Sequence, residues 1–188
     1  MRLFTGLDLP ADIAATLAGW QAALKNEDTE SDVRWSPAAN FHITTKFIGE
    51  WPENRLEELI GVLAGNVPRP RSSVRIEIPG LGSMSNAHQG HILYARVECP
   101  SGQLQTLAAA TSMALQRDLQ IPDETRSYRP HITLGRARRD FPAVGAIRTE
   151  HLSFEAPEFA LYRSDPAPQG KPGTVYSKLS RFPFATNL

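Results

Sequence analysis

The stretch Phe41–Glu50, FHITTKFIGE, recurs in similar form near the end of the chain as Arg129–Arg136, RPHITLGR. Each stretch is rich in β-branched and aromatic residues and has turn-forming residues at its edges, a composition typical of a β-strand. Two similar strands so far apart in the sequence indicate a duplicated unit. We therefore expect two lobes that each contribute one such strand.

Both stretches contain His-Ile-Thr, with His42 and Thr44 in the first and His131 and Thr133 in the second. Side chains two apart in a strand share a face, so each imidazole points the same way as a hydroxyl. If the strands meet, the cleft between them suits an anion that changes its bonding. A single short motif on a strand is more often structural than catalytic, but its repetition with matching flanks favours the functional interpretation.

Imidazole is the side chain whose unperturbed pKa allows it to give or take a proton near neutral pH. Hydrolysis of a phosphodiester needs both actions, a base for the attacking water and an acid for the leaving oxygen. Threonine hydroxyls can donate hydrogen bonds to the non-bridging oxygens as charge builds there. This scheme requires no metal ion and no other cofactor.

The overall composition is that of an ordinary globular protein, with 188 residues of which 41% are apolar and 21% charged. Twenty basic residues balance twenty acidic ones, which argues against a surface that grips long duplexes but permits a local basic pocket. The single Cys99 cannot form an internal disulfide, and no apolar run approaches the roughly 20 residues of a spanning helix. We expect a soluble, cytoplasmic protein that does not enter a membrane.

Hydrophobic periodicity predicts helices and strands in an irregular order. Amphipathic spacing predicts helices at 11–25, 53–66 and 101–119. Alternation and turn signals predict further strands at 2–9, 33–36, 73–78, 91–98, 147–154, 158–164 and 175–181, with a loop at 79–90 and a basic connector at 138–145. This order is mixed α+β, and the absence of a long linker predicts that residues 1–188 form a single domain with two pseudo-symmetric lobes.

In their full form the motifs read His-x-Thr-x-x-Phe-Ile-Gly at His42–Gly49 and Pro-His-x-Thr-Leu-x-Arg at Pro130–Arg136. They resemble the motifs of the 2H phosphoesterase superfamily. Within it, the chain is similar to the RNA 2′,3′-cyclic phosphodiesterases, long called 2′-5′ RNA ligases. The opening RLFTGLDLP and the closing LYRSDPAPQGKPGTVYSKLSRFPF also resemble that group, so the likeness spans nearly the whole chain.

The resemblance implies a bilobal α+β fold, with two antiparallel sheets and flanking helices around a central cleft. It implies metal-independent hydrolysis of a terminal 2′,3′-cyclic phosphate, on RNA ends or nucleotides, to a 2′-phosphate, with 2′-5′ ligation as the reverse reaction and a place in RNA processing. In that pattern His42 and His131 are catalytic, and Thr44 and Thr133 bind the phosphate. We also expect a monomer.

The resemblance also places Phe47 and Arg136 at equivalent positions, five residues after each histidine. An aromatic ring and a guanidinium that face each other can hold a nucleobase between them. Regular strand geometry puts these two side chains on the wrong face, so we expect a twist or bulge near Gly49 and Gly135. Core packing for Phe47 and an ion-paired surface role for Arg136 are the alternatives.

Two positions depart from the pattern of the family. Thr45 replaces a more usual leucine, which we interpret as a packing change. Arg129 stands at a variable position, where its charge either lines the mouth of the cleft or belongs to the surface. His88 and His91 have the spacing of a metal pair, but no nearby carboxylate or thiol completes a ligand set.

Two other functions remain open at this level. One is a binding module that holds an RNA end or a nucleotide without turning it over, although binding alone does not need a second titrating group. The other is related chemistry on 2′-5′ linkages or small cyclic nucleotides.

Overall fold

Ten strands and three α-helices make up the described part of the chain. The computed structural model describes residues 1–27, 33–86, 90–124, 126–137, 142–145, 147–168 and 173–185. The strands are β1 (Arg2–Asp8), β2 (Val33–Trp35), β3 (His42–Glu50), β4 (Val74–Ile78), β5 (Leu81–Asn86), β6 (Gly90–Arg96), β7 (His131–Ala137), β8 (Leu152–Ala156), β9 (Glu158–Pro166) and β10 (Thr174–Pro183). The helices are α1 (Ala11–Glu27), α2 (Leu56–Gly65) and α3 (Gln103–Leu119).

The strands form two four-stranded antiparallel sheets, ordered β10-β9-β1-β3 and β2-β7-β6-β5. This confirms the predicted α+β fold with two antiparallel sheets, each of which contains one His-x-Thr strand. A two-stranded ladder of β4 and β8 was not predicted. It continues the second sheet through a backbone pair between Glu77 and Glu98.

The helices bury one apolar face, as their spacing predicts. In α1 the buried apolar residues are those at three- and four-residue steps: Ile13, Leu17, Trp20 and Leu24. A single cluster of buried side chains draws on both sheets and all three helices and includes Leu17, Leu63, Leu115, Ile43 and Ile132. The core therefore lies between the sheets and the helices, and the two His-x-Thr strands share it.

The predicted loop at 79–90 is wrong, because Leu81–Asn86 forms β5 at the edge of the second sheet. Its glycine and serine content suggests a loop, but Gly82 has a packing reason. A Cβ at this position would lie 2.7 Å from Cζ of Tyr94 on the neighbouring strand. The aromatic ring thus occupies the space over the glycine. The sequence of β5 alone does not reveal this, because Tyr94 belongs to the neighbouring strand.

Other element boundaries also differ from the sequence-based expectation. The strand predicted at 147–154 begins only at Leu152 and runs to Ala156. Within the basic connector, residues 138–141 lie outside the described residues, and Pro142–Gly145 forms a short 3-10 turn. In the ranges that the structure describes, no helix has both the length and the apolar character needed to cross a bilayer.

Candidate active site

A bulge in β3 sets the direction of the first motif. His42 and Thr44 are half-buried on one face, and Ile43 between them is fully buried on the other. The register against β1 then skips Thr45, so that Thr45 and Lys46 are buried in succession. Because the bulge shifts the alternation by one residue, Phe47 emerges on the face of His42.

The second motif repeats this geometry in β7. His131 and Thr133 are half-buried, Leu134 and Gly135 are buried in succession, and Arg136 is again half-buried. The register against β6 skips Leu134, which stands three residues after its histidine, as Thr45 does in β3. The bulge expected near Gly135 is thereby confirmed.

In β3 the decisive bulge lies at Thr45 rather than beside Gly49, where it was expected. A further register shift at Ile48 does adjoin Gly49, but it comes after Phe47. The local sequence offers no glycine at Thr45 to mark the bulge. Only the position of Phe47, five residues after the histidine, required one.

Each imidazole is held by the backbone in the same way. Nδ1 of His42 lies 2.7 Å from the carbonyl oxygen of Asn40, and Nδ1 of His131 lies 2.8 Å from that of Arg129. A carbonyl only accepts, so each Nδ1 carries a proton and Nε2 is the nitrogen left for chemistry. The fixed tautomer in both strands is the kind of orientation that an acid/base pair requires.

Nε2 of His42 lies 2.9 Å from the hydroxyl of Thr44. With Nδ1 protonated, a neutral His42 accepts this hydrogen bond, and a protonated His42 donates it. The predicted phosphate-binding hydroxyl is therefore in direct contact with the predicted catalytic nitrogen.

His42 lies in an aromatic pocket that lowers its pKa. The ring centroids of Phe4 and Tyr176 are 4.7 Å and 5.1 Å from that of His42. Burial is the largest cause of the lowered pKa, and positive charge on His131 lowers it further. The hydrogen bond to Asn40 and the carboxylate of Asp8 act in the opposite direction.

Asp8 is the residue directly opposite His42 in the β1–β3 ladder. Its carboxylate accepts hydrogen bonds from the hydroxyl of Tyr162 and from Nζ of Lys178. Together with His42 and Tyr176 these side chains line a cavity of about 200 Å³.

The motifs do not predict Asp8, Tyr162, Tyr176 or Lys178 as site residues. The segments RLFTGLDLP and LYRSDPAPQGKPGTVYSKLSRFPF contain all four, at alternate positions of β1, β9 and β10. Alternation within β10 places Tyr176 and Lys178 on one face, but it does not bring them to Asp8 and Tyr162 on other strands.

His131 has a different surrounding. Its ring packs edge-on against Tyr94 of β6, with centroids 5.7 Å apart, and the residue opposite it in the ladder is Arg96. The two histidines thus share the backbone clamp on Nδ1 but differ in their neighbours. This asymmetry fits a division of roles.

A hydrogen bond connects the two motifs. The hydroxyl of Tyr128, three residues before His131, donates to the carbonyl oxygen of Thr44 at 2.9 Å. Burial raises the pKa of Tyr128, so the phenol keeps its proton and remains a donor. With β3 in contact with β7 and the charge of His131 acting on His42, the structure brings the two predicted histidines to one cleft.

Polar groups behind each strand hold the bulges in place. Lys46 is only 3% exposed, and its Nζ donates to the carbonyl oxygen of Pro122 at 3.1 Å and lies 3.4 Å from the carboxylate of Asp123. Behind β7, Nε2 of Gln21 in α1 donates at 2.9 Å to the carbonyl oxygen of the bulged Leu134. The first set of contacts satisfies the buried ammonium group of Lys46, and the Leu134 carbonyl also accepts a hydrogen bond of 2.9 Å from the backbone N–H of Ser36.

Of the two predicted base-binding side chains, Phe47 lies near Phe4 and Arg136 near Tyr176, and both of these rings adjoin His42. Phe47 is 53% exposed, an unusual value for a large apolar side chain, which argues against core packing. Arg136 is half-buried, and burial lowers its pKa while the nearby Tyr176 raises it. The side chain of Arg129 is exposed, and its observed contact is the carbonyl that fixes His131.

Thr45 has more than a packing function. Its hydroxyl lies 2.8 Å from that of Thr5 on β1, and both residues are buried, at 4% and 0% exposure. A leucine could not satisfy the Thr5 hydroxyl. The interpretation of Thr45 as a packing change alone is therefore incomplete.

Among the described residues, no three His, Cys, Asp or Glu side chains converge in a manner that could hold a metal ion. His88 lies outside the described residues, so the structure does not test a metal pair of His88 with His91. His151 lies apart from the cleft histidines, with Nε2 3.6 Å from the carboxylate of Glu77.

Comparison with known proteins relates this cleft to one family. The family model of LigT-like phosphoesterases matches residues 7–94, which include the first motif. A Thermus thermophilus protein named RNA 2′,3′-cyclic phosphodiesterase is 28% identical over 184 residues, 96% of this chain and 90% of the relative. The chain is therefore similar to the LigT-like phosphoesterases, as its two motifs indicate.

Solved structures share the whole fold of this chain. A crystal structure of a protein from Thermus thermophilus superposes with a TM-score of 0.77 and 25% identity, covering 100% of both chains. Escherichia coli LigT, crystallised with 3′-AMP, gives a TM-score of 0.78 at 25% identity and covers 98% of both chains. These comparisons confirm the family resemblance seen in the two motifs.

Proposed function

We propose that this protein hydrolyses a terminal 2′,3′-cyclic phosphate, on an RNA end or a nucleotide, to a 2′-phosphate. The observation that carries the proposal is the pair of imidazoles with identical clamps, His42 on the carbonyl of Asn40 and His131 on that of Arg129. The names of the relatives support the reaction class, and the 3′-AMP bound to Escherichia coli LigT supports a nucleotide as ligand.

In the proposed mechanism, Nε2 of His131 takes a proton from a water molecule as its oxygen attacks the phosphorus. The bond between phosphorus and the 3′ oxygen breaks, and protonated Nε2 of His42 gives its proton to that oxygen. The products are a 2′-phosphate and a free 3′ hydroxyl. Each turnover leaves the proton on the opposite histidine, and exchange with solvent restores the starting state.

The acid role of His42 is taken from the resemblance, and Asp8 supports it. Burial is the largest influence on His42 and lowers its pKa in the free protein, whereas Asp8, opposite His42, favours the protonated imidazole. The negative charge of a bound phosphodiester adds to the effect of Asp8 and raises the pKa of His42. Substrate binding thus prepares the acid.

Thr44 and Thr133 supply donors for the non-bridging oxygens. In the free protein the Thr44 hydroxyl lies beside Nε2 of His42. With substrate bound, the Nε2 proton of His42 faces the 3′ oxygen, and the Thr44 hydroxyl is then available to donate to a non-bridging oxygen of the phosphate. Thr133 occupies the equivalent position two residues after His131.

Phe47 and Arg136 hold the base of the terminal nucleotide by stacking on its two faces. The exposure of Phe47 and the matched bulges that turn both residues toward the cleft support this assignment. Arg129, at the mouth of the cleft, adds positive charge. We further propose that the protein acts as a cytoplasmic monomer in RNA processing, with two pseudo-symmetric lobes in a single domain.

One assay tests the proposal. The protein is incubated in excess EDTA with adenosine 2′,3′-cyclic phosphate, an RNA oligomer with a cyclic end, and a 2′-5′-linked dinucleotide. We expect hydrolysis of the two cyclic phosphates without added metal. Binding of all three without turnover would support a binding module instead, and cleavage of the 2′-5′ dinucleotide alone would support the related reaction on linear linkages.

A further inference from the structure

Three arginines gather at the end of the cleft away from the two histidines. Arg34 of β2 stands directly opposite Arg136 of β7 in the ladder. A Cβ on Gly135 would meet the side chains of Val33 and Trp35 at 2.9 Å and 3.1 Å, so these two neighbours of Arg34 point toward the Gly135 side of the sheet. Arg34 therefore points to the other face, which carries Arg136 and His131.

Arg2 contributes from the facing sheet. It shares a face of β1 with Phe4 and Asp8, which are two and six residues further along the strand. Phe4 packs against the ring of His42, and Asp8 is opposite His42 in the ladder. The positive charges of Arg34 and Arg2 both lower the pKa of Arg136, so each of these two guanidiniums lies close enough to that of Arg136 to repel it. We call Arg2, Arg34 and Arg136 the arginine cluster.

Like charges face each other within the cluster. Like charges directly opposite each other in an antiparallel ladder destabilise the pair. In the described part of the chain, no carboxylate lies within 4.0 Å of the guanidinium of Arg2 or Arg34. Glu50, opposite Arg2 in the ladder, lies 3.6 Å from the amino group of Met1 instead.

The cluster is also separate from the proposed site of the scissile phosphate. Arg136 follows His131 by five residues, roughly 15 Å along a strand. A group bound between Arg34 and Arg2 is therefore distinct from the phosphate held by His42 and His131. Guanidiniums recognise phosphate with paired hydrogen bonds, which makes a phosphate the fitting occupant.

We propose that the arginine cluster binds an internucleotide phosphate of the RNA chain, on the 5′ side of the terminal nucleotide. This inference rests on the proposed function and narrows it, because it makes an oligonucleotide with a cyclic end a better substrate than a cyclic mononucleotide. Balanced net charge is consistent with such a small basic site, since only one or two phosphates are held.

The test compares three substrates: adenosine 2′,3′-cyclic phosphate, the trinucleotide UpUpA with the same cyclic end, and that trinucleotide with uncharged methylphosphonate linkages. We expect the wild-type kcat/KM to be highest for the charged trinucleotide. Arg34→Met should lower the ratio of kcat/KM for charged trinucleotide over mononucleotide about tenfold. It should also reduce the salt slope for the charged trinucleotide by about 0.7.

Arg71→Met is the matched control, because Arg71 is an exposed arginine outside all strands of the cleft and should leave the ratio unchanged. Equal kcat/KM for charged and methylphosphonate trinucleotides, or an Arg34→Met effect of the same size on all three substrates, would overturn the phosphate site. Absence of hydrolysis of any cyclic substrate by the wild type would instead contradict the proposed function.

Discussion

The hydroxyl of Tyr128 donates a hydrogen bond of 2.9 Å to the carbonyl oxygen of Thr44 and so joins the segment that leads into β7 to the middle of β3. The two residues are 84 positions apart in the sequence, and the accepting carbonyl belongs to the residue directly before the bulge at Thr45. The hydrogen bond therefore sets how the two catalytic strands lie relative to each other.

Removing this bond should affect turnover more than binding. In Tyr128→Phe, the partly buried carbonyl of Thr44 loses a partner, and we expect a loss of about 1–2 kcal/mol in the free energy of unfolding. Because the spacing of the two motifs is relaxed, kcat should fall several-fold with little change in KM. Urea unfolding and steady-state kinetics measure the two effects.

Thr111→Val is the matched control, since it deletes a buried hydroxyl that donates within α3 to the carbonyl of Leu107. It should lose similar stability and keep its kcat. If the two variants have the same kcat, Tyr128 stabilises the fold and does not position the motifs.

The buried hydroxyls of Thr5 and Thr45 should be energetically coupled. Thr45→Val leaves the Thr5 hydroxyl buried without a partner, and we expect a loss of about 1–3 kcal/mol in unfolding free energy. Thr5→Val together with Thr45→Val removes both hydroxyls and should cost less than the sum of the single changes. Additive single effects in urea unfolding would show that the pair does not interact.

The sequence predicted the parts of the site that lie within single strands. The shared face of His42 and Thr44, and that of their counterparts in β7, follows from the alternation of side chains in a strand. The position of Phe47 predicted a bulge, and the structure has one at Thr45. The neighbours of His42 could not be predicted in this way, because Asp8, Tyr162 and Lys178 come from three strands whose order in the sheet is β10-β9-β1-β3. Strand order depends on long-range pairing, which local periodicity does not contain.

The same reason explains the missed strand β5. Its segment has the glycine and serine content of a loop, and it is a strand because β6 pairs with it and Tyr94 covers Gly82. The duplication inferred from the two motifs stays a prediction, since each sheet combines strands from both halves of the chain.

Loss of either catalytic imidazole should reduce turnover strongly. His42→Ala and His131→Ala should each lower kcat by at least ~100-fold, because each removes one of the two proton transfers. Both variants should remain folded by circular dichroism and bind a nucleotide. His151→Ala, which changes a histidine beside Glu77, is the control and should keep its kcat. Near-normal turnover in either cleft variant would refute the two-histidine mechanism.

The pH dependence of kcat/KM should be bell-shaped. Because His42 is the acid and must be protonated, the alkaline limb, where activity falls as pH rises, is assigned to it. Burial lowers the pKa of His42 from its ordinary value of 6.5, so this limb should lie below pH 6.5 in the free enzyme. A bound phosphodiester raises the pKa of His42, and the same limb should therefore move to higher pH in the profile of kcat.

Asp8→Asn provides the check on this assignment. The carboxylate of Asp8 raises the pKa of His42, so its removal should shift the His42 limb of kcat/KM to lower pH. A limb that stays in place in Asp8→Asn, or a flat profile between about pH 5 and 8, would contradict the assignment.

The identity of the acid determines which ester bond breaks, and a bridging sulfur tests it directly. A thiolate leaves without help from an acid, so a cyclic substrate with sulfur in place of the 3′ oxygen should restore much of the activity lost in His42→Ala. It should not rescue His131→Ala, because the attacking water still needs its base. With the ordinary substrate, phosphorus NMR against authentic 2′- and 3′-monophosphates should show the 2′-phosphate as product. Rescue of His131→Ala instead would exchange the two roles, and a 3′-phosphate as the main product would refute the proposed orientation of the ribose between Phe47 and Arg136.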